Sequence, residues 1–302
     1  MFGGSTMWGQ GVRDDYTVPS LLAKRLAEKT DYHVEVFNQG QIGYVTTQEV
    51  LLLYELLRGG QPPDVVVFYD GINDCLAAYQ NGIPGLSIDE FNRVFEFNIL
   101  NSTFRRTLYL SALGGLLLDS NVLELLNLIR GQDSGRPSSD NSLARETVSY
   151  LEPPHEHDTA EGLEKRAVYM YLFNKRVVEA WGKQFGFRSL FYWQPAIYTK
   201  NKLTPYEQGY LGDPKIKELV LGIYRRVDEV TAAEGIRNLS EIFKDKGQTY
   251  FSDMVHLNEP GNEIIADTMT GDVAQVLAAV EKDPSACRLP QDCAALTRPD
   301  NR

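Results

Sequence analysis

Ser5 stands in a glycine-rich turn, Gly3-Gly4-Ser5-Thr6, and Asp253-Met254-Val255-His256 lies near the other end of a 302-residue chain. A serine hydroxyl becomes a nucleophile only when a base reaches it. The chain has four histidines, and of these only His256 follows an aspartate at the i, i+3 spacing. In a turn, that offset lets the Asp253 carboxylate accept from His256 Nδ1–H and leaves Nε2 to take a proton from a hydroxyl. Alone, the pair reads equally well as surface residues capping the last helix. Two more clusters lie between, Asn38-Gln39-Gly40-Gln41-Ile42-Gly43 and Gly71-Ile72-Asn73-Asp74. Asn73 supplies a carboxamide that can donate to a developing oxyanion, and Gly43 a bare backbone N–H. Asp74 can brace the loop or cap the next helix. A helix is expected directly after Ser5, with its N-terminal dipole aimed at the same place. All four clusters fall where the chain leaves a buried strand, the edge at which open α/β sheets carry their chemistry.

The elements that would position these clusters are legible in the periodicity. Thr17 caps a helix containing Leu21, Leu22 and Leu26, with Pro19 in its first turn. Residues 33–37 alternate and predict a strand ending at Asn38. Residues 47–57 predict a helix stopped by Gly59-Gly60, and residues 64–69 a β-branched strand buried on both faces. Strand and helix alternating in this way predict a parallel sheet. Residues 161–185 predict a helix whose aromatics Tyr169, Tyr171, Phe173 and Trp181 belong to the core. A strand over Arg188–Trp193, a helix over 214–233, a short strand over 236–239 and a closing helix over 259–280 complete the pattern. Only Met1-Phe2 precedes the Ser5 turn, where a strand of roughly five residues is usual. The first strand is therefore read as truncated, and an upstream targeting or anchoring segment would not be seen.

The organisation expected is one domain over residues 1–283 with an insertion at 82–163 and a polar tail at 284–302. The insertion lacks a clear strand and predicts helices at 91–99 and 107–129. It reads as a lid over the C-terminal edge of the sheet, or as an excursion packed elsewhere. His155-Glu156-His157-Asp158 lies there without a third ligand cluster, so no metal is expected. Cys75 reads as a buried small hydrophobe; Cys287 and Cys293 either pair or remain free thiols. The 43% hydrophobic and 24% charged content is that of a globular protein. A net charge of −11 excludes the clustered Lys/Arg of a nucleic-acid surface. No apolar run of about 18 residues predicts a membrane-spanning helix. G-x-S-x-G fails at Met7, and neither a P-loop nor G-x-G-x-x-G is present.

In order and spacing the four clusters resemble the sequence blocks of the SGNH/GDSL hydrolase family, over Gly3 to His256 but not over the insertion or tail. The resemblance implies a three-layer α/β/α flavodoxin-like sandwich with a central parallel sheet. It implies Ser5 as nucleophile and backbone oxyanion donor, Gly43 and Asn73 as the other donors, His256 as base, Asp253 as its orienter, and no cofactor. The family's first block usually carries Asp before Ser, where this chain has Gly4. Gln194, in Trp193-Gln194-Pro195, is a candidate substrate contact or a strand terminator. The activity implied is hydrolysis of short-chain or carbohydrate acyl esters. An O-acyltransferase acting on a glycan and a non-catalytic carbohydrate-binding domain are the alternatives.

Overall fold

A computed structural model describes residues 1–60, 62–90, 93–94 and 159–281. The chain divides into one compact unit of Met1–Ile88 with Asp158–Arg302 and a second of Asp89–His157. Most of the helix expected at 91–99, all of that at 107–129, the lid reading, His155 and His157, the tail, and Cys287 with Cys293 lie outside the described residues.

The β-branched and aromatic runs form a parallel sheet in the order β1 (Phe2–Gly3), β2 (Val65–Asp70), β3 (Arg188–Trp193), β4 (Arg237–Asn238). Because side chains alternate across a strand, each central strand feeds two cores. Phe2, Val66, Phe68 and Phe191 pack with α3 (Thr46–Arg58) and the last turns of α5 (Ala160–Phe185). Val67, Tyr69, Leu190 and Tyr192 pack with α2 (Val18–Lys29), α7 (Pro214–Glu234) and α8 (Glu259–Glu281). Helices on both faces of a parallel sheet make the expected three-layer α/β/α sandwich. The register places Phe2 opposite Phe68 and Phe68 opposite Phe191. Their rings stack with centroids 5.0 Å apart at each step. Burial of each such ring stabilises by about 1.5–3 kcal/mol, so the short β1 is pinned by its aromatic side chain more than by its few backbone bonds.

Two expectations change. Residues 33–37 form no assigned strand, although Met1 N donates to Phe37 O, Gln39 N to Met1 O and Gln41 N to Gly3 O. The segment runs beside β1, and a two-residue strand offers it too few partners for a ladder. On α5, Tyr171 is fully buried, but Tyr169 and Phe173 are 62% and 50% exposed. Two residues along a helix turn a side chain about 200°. Tyr171 therefore faces inward while Tyr169 and Phe173, one turn apart, stack outside with centroids 6.4 Å apart.

The start of α3 buries an acid. Glu49 is wholly buried, and neither of its oxygens nor Asp70 Oδ2 meets an N–H or hydroxyl among the described residues. Burial, then the Asp70 charge and a hydrogen bond with Asp70, push the Glu49 carboxyl well above its ordinary range. Burial likewise raises Asp70, against the bond from Glu49. Two facing carboxyls need a proton between them. A raised carboxyl stabilises the fold fully below its unfolded value and loses that contribution as pH rises through its folded one. Glu49→Gln is expected to flatten the decline in stability as pH rises above the ordinary carboxyl range, read as denaturation midpoints across a pH series.

Candidate active site

Ser5 opens α1 (Ser5–Trp8), a single turn directly after β1, closed by Gly9. The helix expected here is present but ends after one turn, because Gly9 turns left-handed at φ 99°. One turn carries little dipole, so stabilising an anion falls to individual N–H groups. The Ser5 N–H has no acceptor among the described backbone groups, as the first amide of a helix does not.

His256 reaches Ser5 from the loop before α8. His256 Nε2 lies 2.7 Å from Ser5 Oγ, and His256 Nδ1 lies 2.6 Å from Asp253 Oδ2. Asp253 Oδ1 also accepts from the backbone N–H groups of Val255 and His256, each at 2.8 Å. The i, i+3 spacing thus closes a turn in which one carboxylate fixes both the loop and the ring. Burial pushes the Asp253 carboxyl up, but the bonds from the His256 ring, the His256 and Val255 amides and the His256 charge hold it below its ordinary value. Ser5 and His256 are 7% and 9% exposed, so the pair works in a largely dry setting.

On the other side of Ser5 the chain passes from β2 into α4 (Ile72–Asn81) through Gly71. Gly71 has φ 137°, and a Cβ there would sit 2.8 Å from the Trp193 ring. Asn73 falls in the first turn of α4, and its Nδ2 donates to Tyr44 O at 2.8 Å. The amide nitrogen carries a second hydrogen. Asp74 accepts from the Thr46 hydroxyl at 2.9 Å and from Thr46 N. It therefore braces the start of α3 across the site. Burial raises its carboxyl to about 6 against those bonds. Gly43, at φ 73°, lies in the turn that Tyr44 N closes on Gln41 O. Gln41 N is tied to Gly3 O and Tyr44 O to Asn73, so the Gly43 turn is fastened at both ends to the neighbours of Ser5. Among the described residues, nothing accepts from the Gly43 N–H.

Gly4 has a local cause. A Cβ on residue 4 would lie 2.2 Å from Asn73 Nδ2. The asparagine amide therefore occupies the space that a side chain at residue 4 would need. Gln194 is 3% exposed; its Oε1 lies 3.4 Å from Thr6 Oγ1, and its Nε2 has no partner among the described residues. Its side chain is thus buried against Thr6 of the Ser5 turn.

Asn38, in the second cluster, and Glu207 with Lys200, outside all four, also hold the site. Asn38 Nδ2 donates to Met7 O at 3.1 Å, fixing the end of α1. Glu207, on α6 (Pro205–Gln208), is wholly buried. Its Oε1 accepts from Tyr250 N and Phe251 N, and its Oε2 pairs with the buried Lys200. The sequence does carry a signal for the turn, since Thr204-Pro205-Tyr206-Glu207 spells a capping box with Pro at the first helical position. It carries none for the reach to Tyr250, more than forty residues on. An open cleft of about 570 Å³, lined by Trp8, Gly11, Val12, Asp14, Asn38 and Gln41 among others, adjoins α1.

No protein-family model matches the chain, and no curated protein does. Among the solved structures similar to it in fold are the following two. One is a member of the lipolytic protein G-D-S-L family from Veillonella parvula DSM 2008, at 11% identity and TM-score 0.41, covering 89% of this chain and 94% of that one. The other is an acetyl xylan esterase, at 18% identity and TM-score 0.41, covering 90% and 98% respectively. Likeness at this level carries nothing about chemistry, which has to come from the side chains.

Glu207 is held below its ordinary value: burial raises it, but Lys200 and the amides of Thr204, Tyr250 and Phe251 outweigh that. A depressed carboxyl stabilises above its unfolded value and loses that contribution as pH falls through its folded one. Glu207→Gln leaves Lys200 buried without a counter-charge and is expected to cost about 3–5 kcal/mol in chemical unfolding at neutral pH. The same variant should show a shallower loss of stability below pH 4.5 than the native chain.

Proposed function

We propose that the protein is a serine hydrolase of the SGNH/GDSL type that cleaves carboxylic esters. The observation that carries this reading is the continuous chain Ser5 Oγ–His256 Nε2, His256 Nδ1–Asp253 Oδ2 at 2.7 and 2.6 Å. Ser5 Oγ attacks the ester carbonyl carbon while its proton passes to His256 Nε2, and the carbonyl π pair moves onto oxygen. Asp253, kept ionised, orients the ring and stabilises the imidazolium. The N–H groups of Ser5 and Gly43 and the free hydrogen of Asn73 Nδ2 receive the oxyanion. Collapse breaks the C–O bond, and the departing alkoxide takes the proton held by His256. Water then repeats the sequence on the acyl-enzyme, returning the proton to Ser5 and releasing the acid. No step calls for a metal or organic cofactor.

Ser5→Ala and His256→Ala are expected to abolish hydrolysis of p-nitrophenyl acetate, and Ser5→Ala to abolish labelling by a fluorophosphonate. A labelled native chain that keeps its label in the Ser5 variant would sink the reading. Asn73→Ala should lower kcat by roughly 10²–10³.

The contact between Gly4 and Asn73 generates a sharper expectation. Gly4→Ala drives the amide from its place and should lower kcat by at least about tenfold, yet add almost nothing in an Asn73→Ala background. Such non-additivity is the mark of two residues acting through one interaction, and independent losses in the double-mutant cycle would refute it.

A further inference from the structure

The open cleft beside α1 takes no part in the chemistry above, and its volume of about 570 Å³ is that of a small-molecule site. Ser5 and Trp8 begin and end the single turn of α1, three residues apart. Side chains at that spacing leave the same face of a helix, with Cβ atoms about 5–6 Å apart. A helical side chain also covers the turn that precedes its own Cα. Trp8, which lines the cleft and is 49% exposed, therefore borders the nucleophile. Gly40 and Gln41 line the cleft as well and are tied to the same turn. Gln41 N donates to Gly3 O, and a Cβ on Gly40 would lie 2.3 Å from Trp8 N. The cleft thus begins within one helical turn of Ser5.

Asp14 is the one charged residue among the described residues that line it. Arg13, its neighbour in the chain, is drawn elsewhere. The Arg13 guanidinium lies 4.5 Å from the Tyr16 ring centroid, and its Nε lies 2.9 Å from Glu259 Oε1. The start of α2 contributes Thr17 and Ser20 to the lining, yet offers few donors to an anion. Ser20 N is capped by Thr17 Oγ1, and Pro19 has no N–H. Asn38 is engaged too, its Nδ2 with Met7 O and its Oδ1 with Gly40 N. What the cleft presents is a carboxylate and an open indole face.

We propose that this cleft binds an ammonium group carried by the ester substrate, with Trp8 against the cation and Asp14 balancing its charge. The inference rests on the ester-hydrolase reading and narrows it to a substrate class. An anion would meet a carboxylate there, and no lysine or arginine among the described lining residues. A plain alkyl chain would strip water from Asp14 and give it no partner. A trimethylammonium group has a positive charge spread over an apolar skin, which suits an aromatic face and a carboxylate together. The net charge of −11 also draws such a group toward the chain.

Two pairs of esters test the proposal. Acetylcholine carries the cation in its alcohol half, and ethyl trimethylammoniobutyrate carries it in its acyl half. In each partner ester a tert-butyl group replaces trimethylammonium, which removes the charge and keeps the shape. At low salt, at least one charged ester should exceed its neutral isostere by about five- to thirtyfold in kcat/KM. That preference should shrink as ionic strength rises. Trp8→Leu and Asp14→Asn should each lower it by about threefold or more. Asp15→Asn makes the same change in net charge one residue away and should leave it within about twofold, which separates the cleft from the field of the whole chain. No preference in either pair, or one that Asp15→Asn reduces as much as Asp14→Asn does, overturns the proposal. Binding is also read without turnover, in full-length Ser5→Ala, as saturation transfer to the methyl protons of tetramethylammonium that is lost on adding Trp8→Leu. Absent transfer, or transfer indifferent to Trp8, overturns the site whether or not the esters are cleaved. Trp8-dependent transfer in a protein whose native Ser5 takes no fluorophosphonate would instead remove the hydrolase reading and leave the cation site standing.

Discussion

One hydrogen bond, from Ser5 Oγ to His256 Nε2, joins residues 251 positions apart. A buried hydrogen bond of this kind contributes about 0.5–1.5 kcal/mol net. Closing a loop of that length costs roughly 5 kcal/mol in chain entropy before any side chain is ordered. The contact therefore cannot hold itself, and the surrounding fold has to bring both ends to within hydrogen-bond reach and keep them there.

Each end is held by a different device. On the Ser5 side, β1 has only two residues and is fixed by the Phe2–Phe68–Phe191 stack and by the parallel register on β2. On the His256 side, the loop is fastened from beneath by Glu207, which takes the amides of Tyr250 and Phe251, and from the rim by Tyr206 on Ser252. The two sides are then tied directly: Arg25 pairs with Asp267, Arg13 with Glu259, and Asn262 donates to Tyr16 O. The first two pairs are at the surface, where such bridges are worth little. The apolar seam of α2 against α8, with Leu21, Leu22, Leu26, Ile265 and Met269 in one core, supplies most of the attachment.

The parts legible in the sequence are those whose physics is local. Arg188–Trp193 reads as a strand because it ends in four consecutive buried apolar residues, with Leu190 and Tyr192 in one core and Phe191 in the other, and Thr17 reads as a cap because its partner is Ser20. Ser5, Asn73 and the Asp253–His256 turn are found because each follows a strand end or closes its own loop. The residues that escape notice act over distance. Glu207 looks like a capping residue, and only the fold shows that its second oxygen serves Tyr250. Tyr169 and Phe173 mislead for another reason, since an aromatic run on a helix says nothing about which face is buried until the angular step is counted. Gly4 likewise has a long-range cause, since a Cβ there would lie 2.2 Å from Asn73 Nδ2.

The same side chain is used in opposite charge states on the two sides of the site. Asp253, at the rim, is braced by amides and the His256 ring and stays ionised, which is what an imidazolium beside it requires. Glu49 and Asp70 are buried and are pushed toward their protonated forms. Asp74, adjacent in sequence to Asn73, is shifted the same way to a lesser extent. In the proposed mechanism, ionised carboxylates near Asn73 would repel the oxyanion assigned to its amide, and the low dielectric there would strengthen the repulsion. Burial eases that conflict by pushing Glu49 and Asp70 toward their neutral forms while leaving the rim aspartate charged. The division follows from environment alone, as in other sites where two carboxyls are driven apart in pKa to do different work.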